Sequence, residues 1–451
     1  MAADANDYNY IAVVGLGVTG LACVRHLRRL GETVVVLDSR AAPPGQATLE
    51  AEHPEVEVCL GSLDREVLVS ARRVVVSPGL DLRYGVLAEL RSLGHALCGE
   101  LTLFAEALAA SAENALETPR VVAVTGSNGK STVVCWLAEM VRGAGLRVAL
   151  GGNLGTPALD LLAAGQPDIY ILEVSSFQLE TGVGLRPHAA ALLNISADHM
   201  DRYDDLADYA ATKERLLEGT GVAVINADDP HVRGLGGSAR RVVRFSLEDC
   251  RADYHCRLRD GEEYLVGGDE PVLAVGDLAL AGRANYANAL AALALADACD
   301  LPREAQIRAL RTFSGLPHRM ERVGEWRGVE WLNDSKATNV GAALAALNGL
   351  EKKAVLIAGG QGKGADFGPL AQVCRERARA VIVFGADAGA IEAAIAGRVL
   401  VKRVADLGQA VSVAVVLAQP GDCVLLAPAC ASFDAFSGFE QRGEAFRRAV
   451  L

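Results

Sequence analysis

Apolar runs of three to five residues, each followed at once by glycine or polar residues, recur along the whole chain. Ile11-Ala12-Val13-Val14 runs into Gly15-Leu16-Gly17-Val18-Thr19-Gly20, and a helix-like stretch then reaches Leu30. A second run, Thr33 to Leu37, ends on Asp38, and Val74-Val75-Val76 is closed by the turn Ser77-Pro78-Gly79. Runs that are continuous rather than alternating predict strands buried on both faces. Their alternation with helical stretches predicts βαβ units and a parallel sheet.

The same pattern restarts near Glu100. Val121-Val122-Ala123-Val124 predicts a strand, and Val134-Cys135-Trp136-Leu137-Ala138-Glu139-Met140 predicts a helix. Further strands are predicted at Ile169–Leu172, Ala190–Leu193 and Val222–Ile225. From about Phe245 to Leu280 the runs shorten and alternate around Asp260-Gly261 and Gly267-Gly268, which predicts a small antiparallel insertion. An Ala-rich helix should run from Asn285 to about Ala298. The third block opens near Leu316, with strands expected at Val329–Leu332, Ala354–Ala358, Ala380–Phe384 and Cys423–Ala427. The expectation is therefore an α/β chain of three domains on mainly parallel sheets. Residues 1–97 should be Rossmann-like, 98–315 a central P-loop domain carrying the insertion, and 316–451 Rossmann-like again.

Composition narrows the function classes. The chain has 451 residues, 51% of them hydrophobic, enough for large cores. A net charge of −12 argues against a nucleic-acid binder but leaves anionic small ligands open, because local loops capture those. The ten cysteines form no C-x-x-C pair, and Cys23, Cys135, Cys299 and Cys430 read as small core residues. Met1 to Tyr10 is polar and acidic, unlike a signal peptide, and no apolar run is long enough to span a bilayer; a cytoplasmic location is expected.

The densest chemistry is Val124-Thr125-Gly126-Ser127-Asn128-Gly129-Lys130-Ser131-Thr132-Val133, between a predicted strand and a predicted helix. Glycines let backbone N–H groups crowd round an anion, and a helix N-terminus adds partial positive charge. Lys130 suits terminal phosphates and the Ser131 hydroxyl suits Mg²⁺. The early glycine of the usual G-x-x-x-x-G-K-[ST] pattern is replaced by Val124, so the loop is a variant. The first-block G-x-G-x-x-G, with Asp38 placed to accept from a sugar hydroxyl, fits a nucleotide, and leaves NAD, FAD and a UDP-sugar undistinguished.

Strand ends supply the other candidates. Asp168-Ile169-Tyr170-Ile171-Leu172-Glu173 ends in a carboxylate suited to Mg²⁺ or its waters, followed by Ser175, Ser176 and Gln178. His199 suits a metal or a substrate carboxylate, although a lone histidine is as readily structural. Lys213 would repel Mg²⁺ as a plain ammonium. Asn285 suits a helix cap, and Asn288 one turn on could reach a base or phosphate. Arg319 offers a cation for phosphate. Asn333–Asn339, Gly359–Lys363 and Ala427–Asp434 are three polar loops at three predicted strand ends, and read as one rim around a second-substrate pocket.

Taken together these residues resemble the Mur ligases, ATP-dependent amide-forming enzymes of bacterial peptidoglycan synthesis. The resemblance runs nearly end to end: Thr125–Thr132, the Glu173 strand end, Asp198-His199, Asn285 with Asn288, His318-Arg319 and Asn333–Asn339. It extends to Gly151-Gly152-Asn153-Leu154-Gly155, Glu173–Glu180, Pro428–Asp434 and Phe439–Gly443. The Val124 variant of the loop also matches this family.

The resemblance implies UDP-N-acetylmuramoyl-L-alanine, ATP and D-glutamate as substrates, two Mg²⁺ ions, and a monomer with no nucleic-acid or membrane partner. It implies that Gly17, Val18, Thr19, Asp38, Ser39, Arg40 and Gly79 surround UDP, with Asn153, Ser175 and His199 at the muramoyl-alanine end. Gly126, Ser127, Asn128, Gly129, Lys130, Ser131, Thr132, Asn288, Arg319 and Asp334 would serve ATP. Ser131, Glu173, His199 and Lys213 would serve the metal, Lys213 as a carbamate that reverses its charge. Thr338, Lys363, Ser432 and Phe439 would surround D-glutamate. Lys130, His199 and Lys213 would be catalytic. Folylpolyglutamate synthase is the alternative ligase, and a nucleotide-gated binding protein the alternative from another class.

Overall fold

The computed structural model describes residues 9–112, 118–182, 184–350 and 352–451, so of the polar stretch Met1 to Tyr10 only the last two residues are described. Three sheets form, one from each block of the sequence. In the first, β1 (Ile11–Val14), β2 (Val34–Asp38), β3 (Glu57–Leu60), β4 (Arg73–Val76) and β5 (Leu97–Cys98) lie in the order β3-β2-β1-β4-β5, all parallel. The chain runs outward from β1 to β2 on one side and to β4 on the other. That reversal opens a crevice at the C-terminal ends of β1 and β4. Gly15 (φ 95°) lines it, and Gly20 packs behind the turn for steric reasons: a Cβ on Gly20 would stand 1.8 Å from the Gly15 carbonyl oxygen.

The second sheet holds β6 (Arg120–Thr125), β7 (Val148–Gly152), β8 (Ile169–Glu173), β9 (Ala189–Leu192), β10 (Val222–Asn226), β11 (Arg241–Ser246), β12 (Tyr254–Arg259), β13 (Glu262–Gly267) and β14 (Glu270–Ala274). Their order is β14-β13-β12-β11-β10-β9-β6-β8-β7. The expected antiparallel insertion is real, but it is not a separate unit. β12 joins β11 in parallel register through Phe245 and Tyr254, and β13 and β14 extend the same sheet antiparallel. β11 itself is a parallel strand that begins before the predicted insertion.

The continuous apolar runs are explained by burial on both faces. Val121 and Ala123 of β6 face a core with Phe104 and Tyr170, while Val122 and Val124 face Trp136, Leu137 and Leu290. The indole nitrogen of Trp136 donates to the Ala309 carbonyl at 3.1 Å, so the largest core side chain also leaves no donor unmet.

The third sheet, β15 (Glu321–Trp326), β16 (Val329–Asn333), β17 (Ala354–Gly359), β18 (Ala378–Phe384), β19 (Leu400–Arg403) and β20 (Cys423–Leu426), is ordered β15-β16-β20-β17-β18-β19. Only the edge strand β15 is antiparallel to its neighbour.

The three blocks join in two different ways. One apolar cluster runs from Leu16 and Leu27 of the first block into Leu101, Leu172 and Ile225 of the second. The third block keeps its own clusters around Leu356 and Ile357. It meets the second through polar contacts such as Arg319 to Ser131 and Asn339 to Asp198. A polar, solvent-compatible seam of this kind can open and close at low cost, whereas the shared apolar core cannot.

Cys23, Cys299 and Cys430 are buried as expected, while Cys135 is half-buried. Among the described residues no helix is long and apolar enough to cross a membrane.

Candidate active site

β6 ends at Thr125, and the helix Lys130–Gly143 begins four residues earlier than the apolar pattern suggested. That places Lys130, Ser131 and Thr132 in its first turn, where backbone N–H groups have no helical partner. Gly129 occupies the cap in the left-handed region (φ 84°), and a Cβ there would lie 2.4 Å from Asn288 Oδ1. The loop is pinned by Asn194, whose carbonyl and side chain accept from Ser127 N (2.9 Å) and Asn128 N (2.8 Å). The glycines thus form a cradle that a side chain would fill.

Glu173, at the end of the neighbouring strand β8, receives the Ser131 hydroxyl and, at 2.7 Å, Asn153 Nδ2. Burial works against its charge, but Lys130, Ser131, Asn153 and Arg319 outweigh it and hold the carboxyl below its ordinary range. Burial pulls the Lys130 ammonium down, against Glu173, and its Nζ donates to the carbonyls of Gly126 (2.7 Å) and Ser127 (2.9 Å).

Arg319 enters from the third block and donates to Ser131 Oγ at 2.6 Å. Its neighbours His318 (φ 62°) and Met320 (φ 45°) both sit in the left-handed region, a strained bend that projects the guanidinium across the seam. His318 fits there because Gly443 has no side chain: a Cβ would stand 2.3 Å from His318 Nδ1.

His199 is itself in the left-handed region (φ 58°). Its ring lies edge-on to Phe177 at 4.6 Å, and its Nε2 is 3.7 Å from Asp198. Burial, with Lys363 and Lys213, lowers its pKa against Asp198 and Asp201, which favours neutral imidazole. Lys213, on the helix Leu206–Glu214, is 1% exposed. Its Nζ lies over the Tyr209 ring at 4.6 Å and donates to Gly126 O at 3.1 Å. Burial above all, and Lys130 next, hold this amine well below the usual lysine range.

The three polar loops of the third block do form one rim, because β16, β20 and β17 are adjacent. Arg442, fully buried, fastens them together. It donates to Ser335 Oγ (3.0 Å), Ser335 O (2.8 Å), Cys430 O (3.0 Å) and Gly359 O (3.4 Å). Asp334 is buried, and burial pushes its carboxyl up to about 6 against the pull of Arg319. Lys336 lies with its Nζ 3.9 Å from the Phe439 ring centre, brought down to about 8 chiefly by burial.

One cavity of about 380 Å³ brings Lys130, Glu173, His199 and Lys213 together with Thr338, Lys363, Ser432 and Phe439. It also contains Asp198, Tyr209, Phe177 and Lys336, which the sequence reading did not assign. Asp198 and Lys336 stood inside quoted motifs, whereas nothing local marked Tyr209.

A second cavity, about 650 Å³, lies at the β1/β4 crevice and gathers Gly17, Val18, Thr19, Asp38, Ser39, Arg40 and Gly79. Asn153, Ser175 and Phe177 wall both cavities. Asp38 lines this crevice and also has a structural task. Its carboxylate accepts from Leu16 N (2.7 Å) and Arg40 N (2.9 Å) and pairs with the Arg40 guanidinium, which brings its pKa to about 2. It therefore fixes the Gly-rich turn and Arg40, and a sugar hydroxyl would have to compete for it.

A third cavity, about 160 Å³, joins Thr132, Asn288 and Asp334 to an apolar patch of Leu280, Ala342 and Ala346. It shares Asn128, Gly129, Arg319 and Lys336 with the central cavity. Asn285 is not a cap: Gly282 holds that position, and Asn285 lies in the first turn, its Nδ2 donating to Ala281 O at 2.9 Å.

Among the described residues no three His, Cys, Asp or Glu side chains form a ready-made metal cluster. The donor set of Glu173 and Ser131 beside a phosphate cradle suits Mg²⁺, which binds through few carboxylates and completes its shell with phosphate oxygens and water.

A phosphate cradle where three α/β sheets meet, faced by a polar rim across a polar seam, fits a nucleotide-dependent enzyme that brings several substrates together. Family models agree: the MurD-like N-terminal domain of Mur ligases matches residues 9–99, the Mur ligase middle domain 124–296, and the Mur ligase glutamate ligase domain 318–430. The chain belongs to the Mur ligase family.

Within it, the chain is 50% identical over 441 residues to a UDP-N-acetylmuramoylalanine–D-glutamate ligase of Nitrosococcus oceani, covering 97% of this chain and 95% of that one. It is 48% identical to the enzyme of that name from Pseudomonas aeruginosa, covering 99% and 98%. Among solved structures, a pseudomurein peptide ligase type C from Methanothermus fervidus aligns with a TM-score of 0.62 at 20% identity, covering 98% of this chain and 99% of that one. A UDP-N-acetylmuramate-alanine ligase from Thermotoga maritima aligns with a TM-score of 0.60 at 18% identity, covering 97% and 98%. These last two show a shared fold.

Proposed function

We propose that the chain is an ATP-dependent ligase that joins D-glutamate to UDP-N-acetylmuramoyl-L-alanine in peptidoglycan precursor synthesis. The observation that carries this is the shared walls of the three cavities. Asn153, Ser175 and Phe177 link the β1/β4 crevice to the centre, and Asn128, Gly129, Arg319 and Lys336 link the centre to the third cavity. Three substrates can therefore meet at one point.

In this reading the β1/β4 crevice takes UDP, with the alanyl carboxylate directed past Asn153 and Ser175 to the centre. The third cavity takes the adenosine of ATP, and Lys363, Ser432, Thr338 and Phe439 take D-glutamate. Residues 1–97, 98–315 and 316–451 act as three domains, and the protein works as a cytoplasmic monomer.

A carboxylate is a poor acyl donor at neutral pH. The alanyl carboxylate oxygen therefore attacks the ATP γ-phosphorus, ADP leaves, and an acyl phosphate forms. Lys130, Arg319 and the loop N–H groups stabilise the charge on the transferred phosphoryl. Mg²⁺ bound by Glu173, Ser131 and His199 would supply further charge neutralisation there. The D-glutamate amine then attacks the acyl carbon, loses a proton, and the tetrahedral intermediate collapses to amide and phosphate.

The seam between second and third blocks lets the rim close and exclude water from the acyl phosphate. The lowered pKa of Lys213 supports the carbamate reading, since only the free amine adds CO₂. The product carbamate would reverse the charge beside Lys130.

The test is phosphate release with UDP-N-acetylmuramoyl-L-alanine, ATP and a panel of amino acids. Release that requires D-glutamate supports the reading. Release with L-lysine or meso-diaminopimelate and none with D-glutamate overturns it.

A further inference from the structure

The turn that carries His199 is fastened by Arg202, a side chain outside all three cavities. Arg202 is 9% exposed. Its Nη2 donates to Leu80 O at 2.6 Å and Pro78 O at 3.4 Å, in the turn after β4. The same guanidinium donates to Glu180 Oε2, from Nη2 at 2.6 Å and from Nε at 3.1 Å, and lies 4.6 Å over the Phe177 ring. Its backbone N–H closes the turn onto His199 O at 2.8 Å. Glu180 is held from its other oxygen by the Tyr203 hydroxyl at 2.7 Å.

One residue thus links three things: its guanidinium touches the Pro78–Leu80 turn that walls the β1/β4 crevice and the Phe177 ring that walls both that crevice and the centre, and its backbone belongs to the turn bearing His199. Guanidinium suits this, because it can bond carbonyls and a carboxylate in its plane while its face stacks on an aromatic ring. The carbonyl of Leu80 is the farther end of the linkage: it lies in the loop after β4 of the first sheet, whereas His199 lies in the loop after β9 of the second.

We propose that Arg202 is a positioning residue that couples the UDP-binding turn to the placement of Phe177 and His199 at the reacting end of the same substrate. The proposal rests on the assignment of the β1/β4 crevice to UDP. When UDP orders the Pro78–Leu80 turn, Leu80 O holds Arg202, and Arg202 holds Phe177 and the His199 turn. The uridylyl group then aids the reaction at a distance, as remote binding groups do.

The experiment compares kcat/KM for UDP-N-acetylmuramoyl-L-alanine with that for 1-phospho-N-acetylmuramoyl-L-alanine, which lacks the uridylyl group, in wild type, Arg202→Lys and Arg202→Met. Loss of the fork should lower kcat/KM for the full substrate roughly 10-fold while changing the truncated acceptor less than about 2-fold. KM for ATP and D-glutamate should stay within about 2-fold. Equal losses on both acceptors would mean a merely structural role and overturn the coupling, as would an unchanged full-substrate value. If Arg202→Met fails to fold, Arg202→Lys decides, since it keeps the charge opposite Glu180. A wild type inactive on both acceptors would overturn the ligase reading and this coupling together. Wild-type turnover with no selective effect in the variants would overturn the coupling alone.

Discussion

Arg319→Gln isolates what the third block contributes to phosphoryl transfer. Arg319 reaches the phosphate loop through one charged hydrogen bond, 2.6 Å to Ser131 Oγ. It faces Glu173 and Asp334, and burial lowers its pKa. Glutamine keeps most of the length and a donor but removes the charge. A buried charged hydrogen bond is worth about 1.5–3 kcal/mol, and an arginine aimed at a transferring phosphoryl can be worth about 10³–10⁵ in kcat. Lys130 would remain on the same phosphates, so the expected loss lies between these two figures: a fall in kcat of roughly 10²–10³. Arg319→Lys should recover part of this, because it restores the charge without the fork. Rapid-quench measurement of ADP formed per enzyme in a single turnover, at saturating substrates, reads the chemical step directly. A melting temperature near wild type confirms that folding is intact. A folded Arg319→Gln protein with a single-turnover rate within about 3-fold of wild type would refute the role of Arg319 in stabilising the transferred phosphoryl.

Two more outcomes follow from the same site. Folding raises the Asp334 carboxyl to about 6, so its ionised form is disfavoured in the folded state and its stability contribution is lost as pH rises through 6. Asp334→Asn should therefore raise the melting temperature by a few degrees at pH 8, on the order of 2 kcal/mol, with no gain at pH 4 and with lower ligase activity; calorimetry at the two pH values checks this, and a gain confined to pH 4 would contradict it. Lys213→Ala should lose most activity and regain part of it with added short-chain carboxylates, which can take the place of the carbamate; wild-type rates without rescue would dismiss that role.

The fold was legible wherever strands are buried on both faces, because β1, β6, β8, β10 and β17 carry unbroken apolar runs bounded by glycine or acid. Most of the missed strands are of another kind. β3, β7, β15 and β19 lie at sheet edges with at most one fully buried side chain each, so solvent removes the signal, whereas β11, inside the second sheet, was masked by its arginines Arg241 and Arg244. The phosphate loop and the three rim loops were readable because their chemistry is contiguous in sequence. Roles that depend on tertiary approach were not. Arg442 bonds the carbonyls of Ser335, Gly359 and Cys430, one at each rim loop, Tyr209 lies under Lys213, and Arg202 reaches the loop after a strand of another sheet. The structural task of Asp38 was hidden for a similar reason: its partner Arg40 is only two residues away, yet the turn that folds the guanidinium back onto it is a property of the backbone. Asn285 was misjudged because Gly282, at φ 102°, starts the helix earlier than a capping side chain would.

The central claim is that the substrate carboxylate itself takes the phosphoryl group before the amide forms. It is tested most directly with UDP-N-acetylmuramoyl-L-alanine carrying ¹⁸O in its alanyl carboxylate, turned over with ATP and D-glutamate. Mass analysis of the released phosphate should find one ¹⁸O per turnover, transferred when the acyl phosphate collapses. Phosphate free of label, alongside amide product, would contradict the account.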